Sequence, residues 1–167
     1  MKFYANPYSF GVTGFYFDTF EEYETKSAAL KDSFGNPVEE FEIDVIDGTA
    51  EECELAKAAK VTQGEIAEFI EFIDGDESQW PAVFYLMDNC EESLEVALGK
   101  SDDYSIVESS LLDAATELFD ECYGESIPEH IKQYIDYESF ARDCRLSGDM
   151  VEFEFGGKTF TCTNANQ

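Results

Sequence analysis

Carboxylates are the only reactive side chains this chain holds in quantity: 38 Asp and Glu, against 10 Lys and Arg and one His, in 167 residues. They could bind a metal, move protons, or present fixed negative charge. The run Asp74-x-Asp76-x-Ser78 resembles the first half of a calcium loop. Its sixth position should be Gly and is Gln79, and its twelfth should be Glu and is Tyr85, so a helix-to-helix turn fits better. Zinc needs clustered Cys and His. The five cysteines (Cys53, Cys90, Cys122, Cys144, Cys162) are scattered with no CxxC, which reads as reduced thiols in a cytosolic protein. Nucleophilic catalysis would rest on His130 alone, at the start of a predicted helix and without a nucleophile motif. With so many carboxylates some pair will always sit at acid–base spacing, so proximity alone carries no weight. Neither GxxxxGK nor GxGxxG occurs. The expectation is a protein with no metal, no cofactor and no catalytic residues, and so not an enzyme.

Fixed charge is the remaining chemistry. The total is −28, and residues 39–125 hold 26 acids and three bases (Lys57, Lys60, Lys100), a net −23. Residues 1–38 carry −2 and residues 126–167 carry −3. A duplex presents about one negative charge per 1.7 Å of axis, and DNA-binding proteins neutralise those charges. A folded surface this negative is a candidate decoy for such a protein and does not itself suit nucleic acid or an anionic membrane. A solvated acidic face is the plainer reading. A high-salt host would spread acid evenly along the chain, which is not the pattern here. A compact chain of this length has a radius of gyration near ~15 Å, whereas 28 charges at duplex spacing cover roughly 48 Å. An elongated shape or a dimer therefore fits a mimic better than a sphere.

These charges need elements to hold them. The chain is 44% hydrophobic with 15 Phe, 9 Tyr and one Trp, enough to build a core rather than a disordered acidic tail. Two short aromatic strands are expected around Phe3-Tyr4 and within Phe10–Phe17. A helix capped by Thr19 should follow, from Phe20 to about Ser33. Val38–Ile46 alternates, with Phe41, Ile43 and Val45 on one face and Glu40, Glu42 and Asp44 on the other. The middle is helical: Thr49–Ala59, then a Thr62/Glu65 capping box ahead of the stripe Ile66, Phe69, Ile70, Ile73. Ser78 and Pro81 should start the next helix, and another should run from about Glu91 to Leu98, closing at Gly99. A short strand is expected at Tyr104–Val107. Ser110 with Asp113 should open a helix to about Tyr123, with Gly124 as a left-handed stop. Short helices follow from Pro128 and from Asp136 to Leu146, and Gly148 ends the second. Gly156-Gly157 marks a hairpin between Met150–Phe155 and Lys158–Cys162, and Thr163–Gln167 reads as disordered. No apolar run approaches the 18 residues of a membrane span, and no signal peptide is apparent.

The segment Glu117–Asp143 adds a second kind of information. Its acidic helix, Pro128-Glu129, Tyr134-Ile135-Asp136-Tyr137 and Arg142-Asp143 closely resemble the C-terminal signature of the ArdA antirestriction proteins. Cys144 stands where that family usually has Leu. Tyr4-Ala5-Asn6, Tyr8, Gly11, Gly14 and Asp18 look like the family's opening, with Phe10 in place of a common Asn and Tyr16 or Phe17 in place of the usual Trp. The family's HDYEG landmark appears only as Asp47-Gly48, without the His and Tyr.

The resemblance implies an α+β fold, elongated, with three small modules in a row. These would be an N-terminal sheet plus helix (1–48), a central acidic helical bundle (49–101) and a C-terminal α/β module with a hairpin (102–167). It also implies a homodimer that mimics duplex DNA and inhibits Type I restriction–modification enzymes by occupying their specificity and methylation core. The expected contact residues are Glu65, Glu68, Glu71, Asp74, Asp76 and Glu77 in the middle, and Asp113, Glu117, Asp120, Glu121 and Glu125 in the C-terminal acidic helix. Tyr134, Tyr137 and Phe140 are expected in the core, and Arg142 is expected to pair with Glu138. The location implied is the cytoplasm, with no nucleic acid or membrane as partner. Charge alone also fits an acidic adaptor or chaperone-like module that binds basic nucleoid-type proteins.

Overall fold

The aromatic, alternating N-terminus forms an antiparallel sheet of β1 (Lys2–Pro7), β2 (Phe15–Phe17) and β3 (Phe41–Asp47) in the order β2-β1-β3. Alternation sends Phe3, Ala5, Phe17 and Phe41 inward, where Tyr23 of α1 (Phe20–Ala29) joins them. Thr19 caps α1 as expected, accepting from the Glu22 N–H. The computed structural model describes residues 1–166.

The helix ends at Ala29 rather than Ser33 because the next residues are claimed by a turn. Leu30 is extended, the Val38 N–H donates to its carbonyl, and the Asp32 carboxylate accepts from the Phe34 and Asn36 N–H groups at 2.8 Å each. These bonds hold the Asp32 carboxyl below its ordinary value, the Asn36 side-chain amide contributing most. The same turn delays β3 to Phe41.

The middle contains α2 (Ala50–Ala59), α3 (Ile66–Ile73), α4 (Trp80–Asp88) and α5 (Leu94–Lys100). Thr49 and Glu52 form a reciprocal capping box on α2. The Thr62/Glu65 box is only half made. Glu65 accepts from both the Thr62 N–H and its hydroxyl, so the hydroxyl is a donor and caps nothing. Ahead of α4 the cap is Asp76, not Ser78: its carboxylate accepts from the Ser78 N–H at 2.9 Å and opens a single 3-10 turn, Glu77–Gln79. The helix expected from Glu91 starts at Leu94 with Ser93 as its cap. Glu91 is left-handed (φ 56°) and the Glu92 N–H bonds back to Leu86, which closes α4. Gly99 does not stop α5, which runs on to Lys100.

The C-terminal part comprises β4 (Ile106–Val107), α6 (Leu111–Tyr123), α7 (Glu129–Lys132), α8 (Tyr137–Ser147), β5 (Val151–Phe155) and β6 (Lys158–Cys162). The strands form a second antiparallel sheet, β4-β6-β5. Gly156 (φ 59°) and Gly157 (φ 73°) make the two-residue hairpin, a conformation favouring glycine at both positions. Gly148 is the left-handed cap of α8, but Gly124 is right-handed and extends α6 into a 3-10 turn instead of stopping it. The tail 163–166 is tied down. The Thr163 N–H donates to Ser105, Asn164 bridges Ser105 and Asp103, and the Ala165 N–H donates to Asp149. Gln167 lies outside the described residues.

The fold is thus α+β, with a sheet near each end of the chain and helices between. One buried core runs from the first sheet through the middle helices to the second sheet. There Phe84 stacks on Phe155 (4.8 Å between ring centroids) and Tyr85 meets Phe153 (5.3 Å). A smaller cluster, Ala115, Ala141, Cys144 and Met150, joins α6 to α8. The chain exposes 10178 Å², against about 8,300 Å² for a compact protein of this mass.

Two predictions follow from this packing. Phe84→Ala removes the aromatic joint between the middle helices and the second sheet and should cost about 3–5 kcal/mol in chemical denaturation. The Asp136 carboxylate caps α8 through the Ser139 N–H (3.0 Å) and hydroxyl (2.7 Å), which hold its pKa below the ordinary value. A lowered folded-state pKa contributes stability above the unfolded value of roughly 3.9, and that stability is lost as pH falls through the folded value. Asp136→Ala should therefore lower Tm at neutral pH. The gap between the two proteins should close only below about pH 3.9, followed by thermal melts across the acid range.

Candidate functional site

The expected contact acids fall into two groups. In the middle, burial of Ile66, Phe69, Ile70, Phe72 and Ile73 leaves α3 only a narrow outward strip, on which Glu68 is half-buried and Glu71 exposed. Glu65 is half-buried just ahead of the helix and is engaged by Thr62. Asp74 ends α3, while Asp76 and Glu77 lead into α4, all three exposed. The Ser78 N–H holds the Asp76 carboxyl below its ordinary value. Glu68, Glu71 and Asp76 converge on one shallow cleft of about 360 Å³ beside Phe72 and Leu98. Glu77 faces a different cleft of about 410 Å³, which it shares with Glu51, Glu52, Glu108 and Lys158.

The second group lies on α6. Ala114 and Ala115 are buried and Leu111, Leu118 and Phe119 half-buried, so Asp113, Glu117, Asp120 and Glu121 form an exposed stripe. At 1.5 Å per residue these four span roughly 12 Å of helix axis. Glu125 is exposed in the following 3-10 turn. Ser110 caps α6, and its hydroxyl donates to Asp113 at 2.7 Å. Asp120 is fixed from α8: the Tyr137 hydroxyl donates to it at 2.7 Å, which raises the phenol's pKa, while the Tyr137 ring packs edge-on against Phe119.

Two expectations around this helix change, those for Tyr134 and for Arg142. Tyr134 is not core but 77% exposed, because the short α7 carries it past the α6–α8 contact. Tyr137 and Phe140 are half-buried, with Phe140 against the small cluster. Arg142 pairs with its neighbour Asp143 (Nε to Oδ1 3.6 Å), not with Glu138.

The electrostatics follow from what is absent around these side chains. The ion pairs among the described residues are Met1 amine–Glu52, Lys2–Asp18, Lys26–Glu22, Lys100–Glu92, Lys132–Glu129, Arg142–Asp143 and Lys158–Glu108. None involves any of the eleven expected contact acids. Sequence reasoning missed the cleft acids Glu51 and Glu108, whose placement depends on the second sheet. It also missed that Glu54 is a structural group, accepting from the Gly156 N–H at 2.9 Å across 102 residues of chain. Nothing local signals such a bond. His130 is exposed on α7, and no group of three or more His, Cys, Asp or Glu among the described residues is placed to hold a metal ion. Among the described residues no helix is long and apolar enough to cross a membrane.

A family model described as Antirestriction protein (ArdA) matches residues 12–158, from the turn after β1 to the start of β6. No curated protein matches the chain. The matched stretch contains both groups of unpaired acids as well as the Pro128-Glu129 and Arg142-Asp143 landmarks. The chain belongs to the ArdA antirestriction family, which is a family of inhibitor proteins that act against restriction.

Proposed function

We propose that this protein mimics duplex DNA and competitively occupies the DNA-binding groove of Type I restriction–modification enzymes, at their specificity and methylation core. The observation that carries this reading is the set of eleven helix- and turn-borne carboxylates, none of them in an ion pair among the described residues. On α6 four of them follow one another at axial steps of about 6, 4.5 and 1.5 Å, a mean of about 4 Å, against ~3.4 Å per phosphate on one DNA strand. Glu65, Asp76, Asp113 and Asp120 are already held by hydrogen bonds from Thr62, Ser78, Ser110 and Tyr137, and groups ordered before binding make association cost less entropy. Their summed field steers a basic groove to them and makes encounter fast and salt-sensitive.

The reading is of a competitor acting in the cytoplasm, where restriction occurs, and the functional unit is a homodimer. Two copies together carry −56, twice the −28 of one chain, and lengthen the decoy beyond one protomer. No group performs chemistry: the charge is distributed, and so is the binding energy.

Mixed with a purified Type I enzyme at low salt, the protein should block cleavage and methylation, and the block should weaken steeply as salt rises. Absence of inhibition at excess protein and low salt sinks the reading. Capture of basic nucleoid-type proteins in that case would support the acidic adaptor instead. Reversing Glu117 alone to Lys should weaken inhibition less than tenfold, whereas reversing Asp113, Glu117, Asp120 and Glu121 together should abolish it, as measured by inhibitor titration. A thousandfold loss from one reversal would point to a discrete hot spot. The same salt should raise the free protein's Tm, because screening relieves repulsion among unpaired acids. Thermal melts at low and high ionic strength check this.

A further inference from the structure

The outer face of the first sheet carries a pattern that neither acidic helix has. The register pairs Tyr4 with Asp44 and Asn6 with Glu42 across β1 and β3, and Tyr4 with Tyr16 across β1 and β2. The Tyr8 N–H donates to the Glu40 carbonyl, extending the ladder one step past Pro7 and Phe41. Because Phe3, Ala5, Phe17 and Phe41 point into the core, these alternate residues point out. Tyr8 is 68% and Tyr16 55% exposed, and the rings of Tyr4 and Tyr16 lie 4.8 Å apart. Glu40, Glu42 and Asp44 are exposed and join no ion pair among the described residues, and the nearby Lys2 is paired with Asp18.

Scattered exposed aromatics need no explanation. Here, however, the half-buried Tyr4 stands opposite Asp44, a pairing that sets opposed Cβ atoms about 4.5–5.5 Å apart, with the Tyr16 ring beside it and Tyr8 next to Glu40 at the end of the ladder. The cation that suits both neighbours at once is planar: it stacks on a ring face while its N–H fork reaches a carboxylate. A guanidinium does this, and a compact ammonium satisfies only the charge. Phosphate backbones and anionic lipid are repelled by the same carboxylates. We propose that the outer face of the β2-β1-β3 sheet is a second docking surface, one that takes arginine side chains of the protein partner. The inference rests on the decoy reading only for the partner's identity, since a duplex-binding groove is a surface where such arginines stand. The preference for arginine over lysine belongs to this sheet face whichever basic protein is bound.

The test compares an oligo-arginine with an oligo-lysine peptide of equal length, titrated into the full-length protein. Charge alone predicts equal affinity. Stacking on the sheet predicts about three- to tenfold tighter binding of the arginine peptide. Its amide shift changes should centre on Tyr4, Tyr16 and Asp44. Tyr8→Ser/Tyr16→Ser, two exposed positions, should remove the preference while leaving the lysine peptide's affinity unchanged. Glu42→Gln/Asp44→Asn should weaken both peptides and keep the rings in place. Equal affinities in the native protein, shift changes confined to the helices, or a preference that survives loss of both tyrosines would overturn the proposal. An arginine preference found in a protein that fails to inhibit a Type I enzyme would leave this surface standing and remove the decoy reading; the converse result would do the opposite.

Discussion

Mutual repulsion among carboxylates is the constraint on which this molecule is built. Two like charges 4 Å apart in water oppose each other by about 1 kcal/mol, and residues 39–125 hold 26 acids against three bases. The chain does not relieve this by pairing its acids, since few bases are available and most of those in ion pairs lie outside that stretch. It relieves it by holding acids outward on elements whose inner faces are aromatic and aliphatic. Phe69, Leu55, Leu86, Val83 and Ile66 are almost wholly buried directly beneath the acidic middle helices. The aromatic content that first argued against disorder is thus the counterweight to the charge.

The same constraint explains how the acids are used locally. Where a carboxylate would crowd a helix start it becomes a cap, as Asp76 and Asp136 do, because a helix N-terminus welcomes negative charge. Where it lies against a tight turn it becomes an acceptor, as with Asp32 on its own loop and Glu54 on the Gly156 hairpin. Others, such as Glu22, Glu92 and Glu108, are taken up in ion pairs, and acids such as Glu71, Asp74, Glu77, Glu117 and Glu121 face solvent outside any ion pair among the described residues. In the proposed complex, fold stability and partner binding would draw on the same repulsion, relieved by ions in the free protein and by basic side chains when bound.

Much of the fold was legible because its signals are local. Thr19, Thr49, Ser110 and Asp136 each cap the helix their position announced, and Gly148 and Gly156-Gly157 take the left-handed conformations expected of them. What sequence missed depends on partners far along the chain. Gly99 and Gly124 look like stops, yet each sits in helical conformation once its surroundings are packed. Residues 163–166 of the tail, polar and short, are held by Ser105, Asp103 and Asp149. The candidate site divides the same way. The family resemblance pointed to Asp113, Glu117, Asp120 and Glu121 in the C-terminal acidic helix, but the Tyr137 hydroxyl that fixes Asp120 comes from 17 residues away and left no pattern.

Competition with DNA is the central claim, and one titration reaches it directly. Inhibition of a purified Type I enzyme would be measured at fixed salt while the concentration of unmodified target DNA is raised. If the protein occupies the DNA groove, its apparent inhibition constant rises in proportion to the DNA, and enough DNA restores full cleavage. An inhibition constant that stays the same at every DNA concentration would mean that the protein acts elsewhere on the enzyme, and the account of it as a DNA mimic would be wrong.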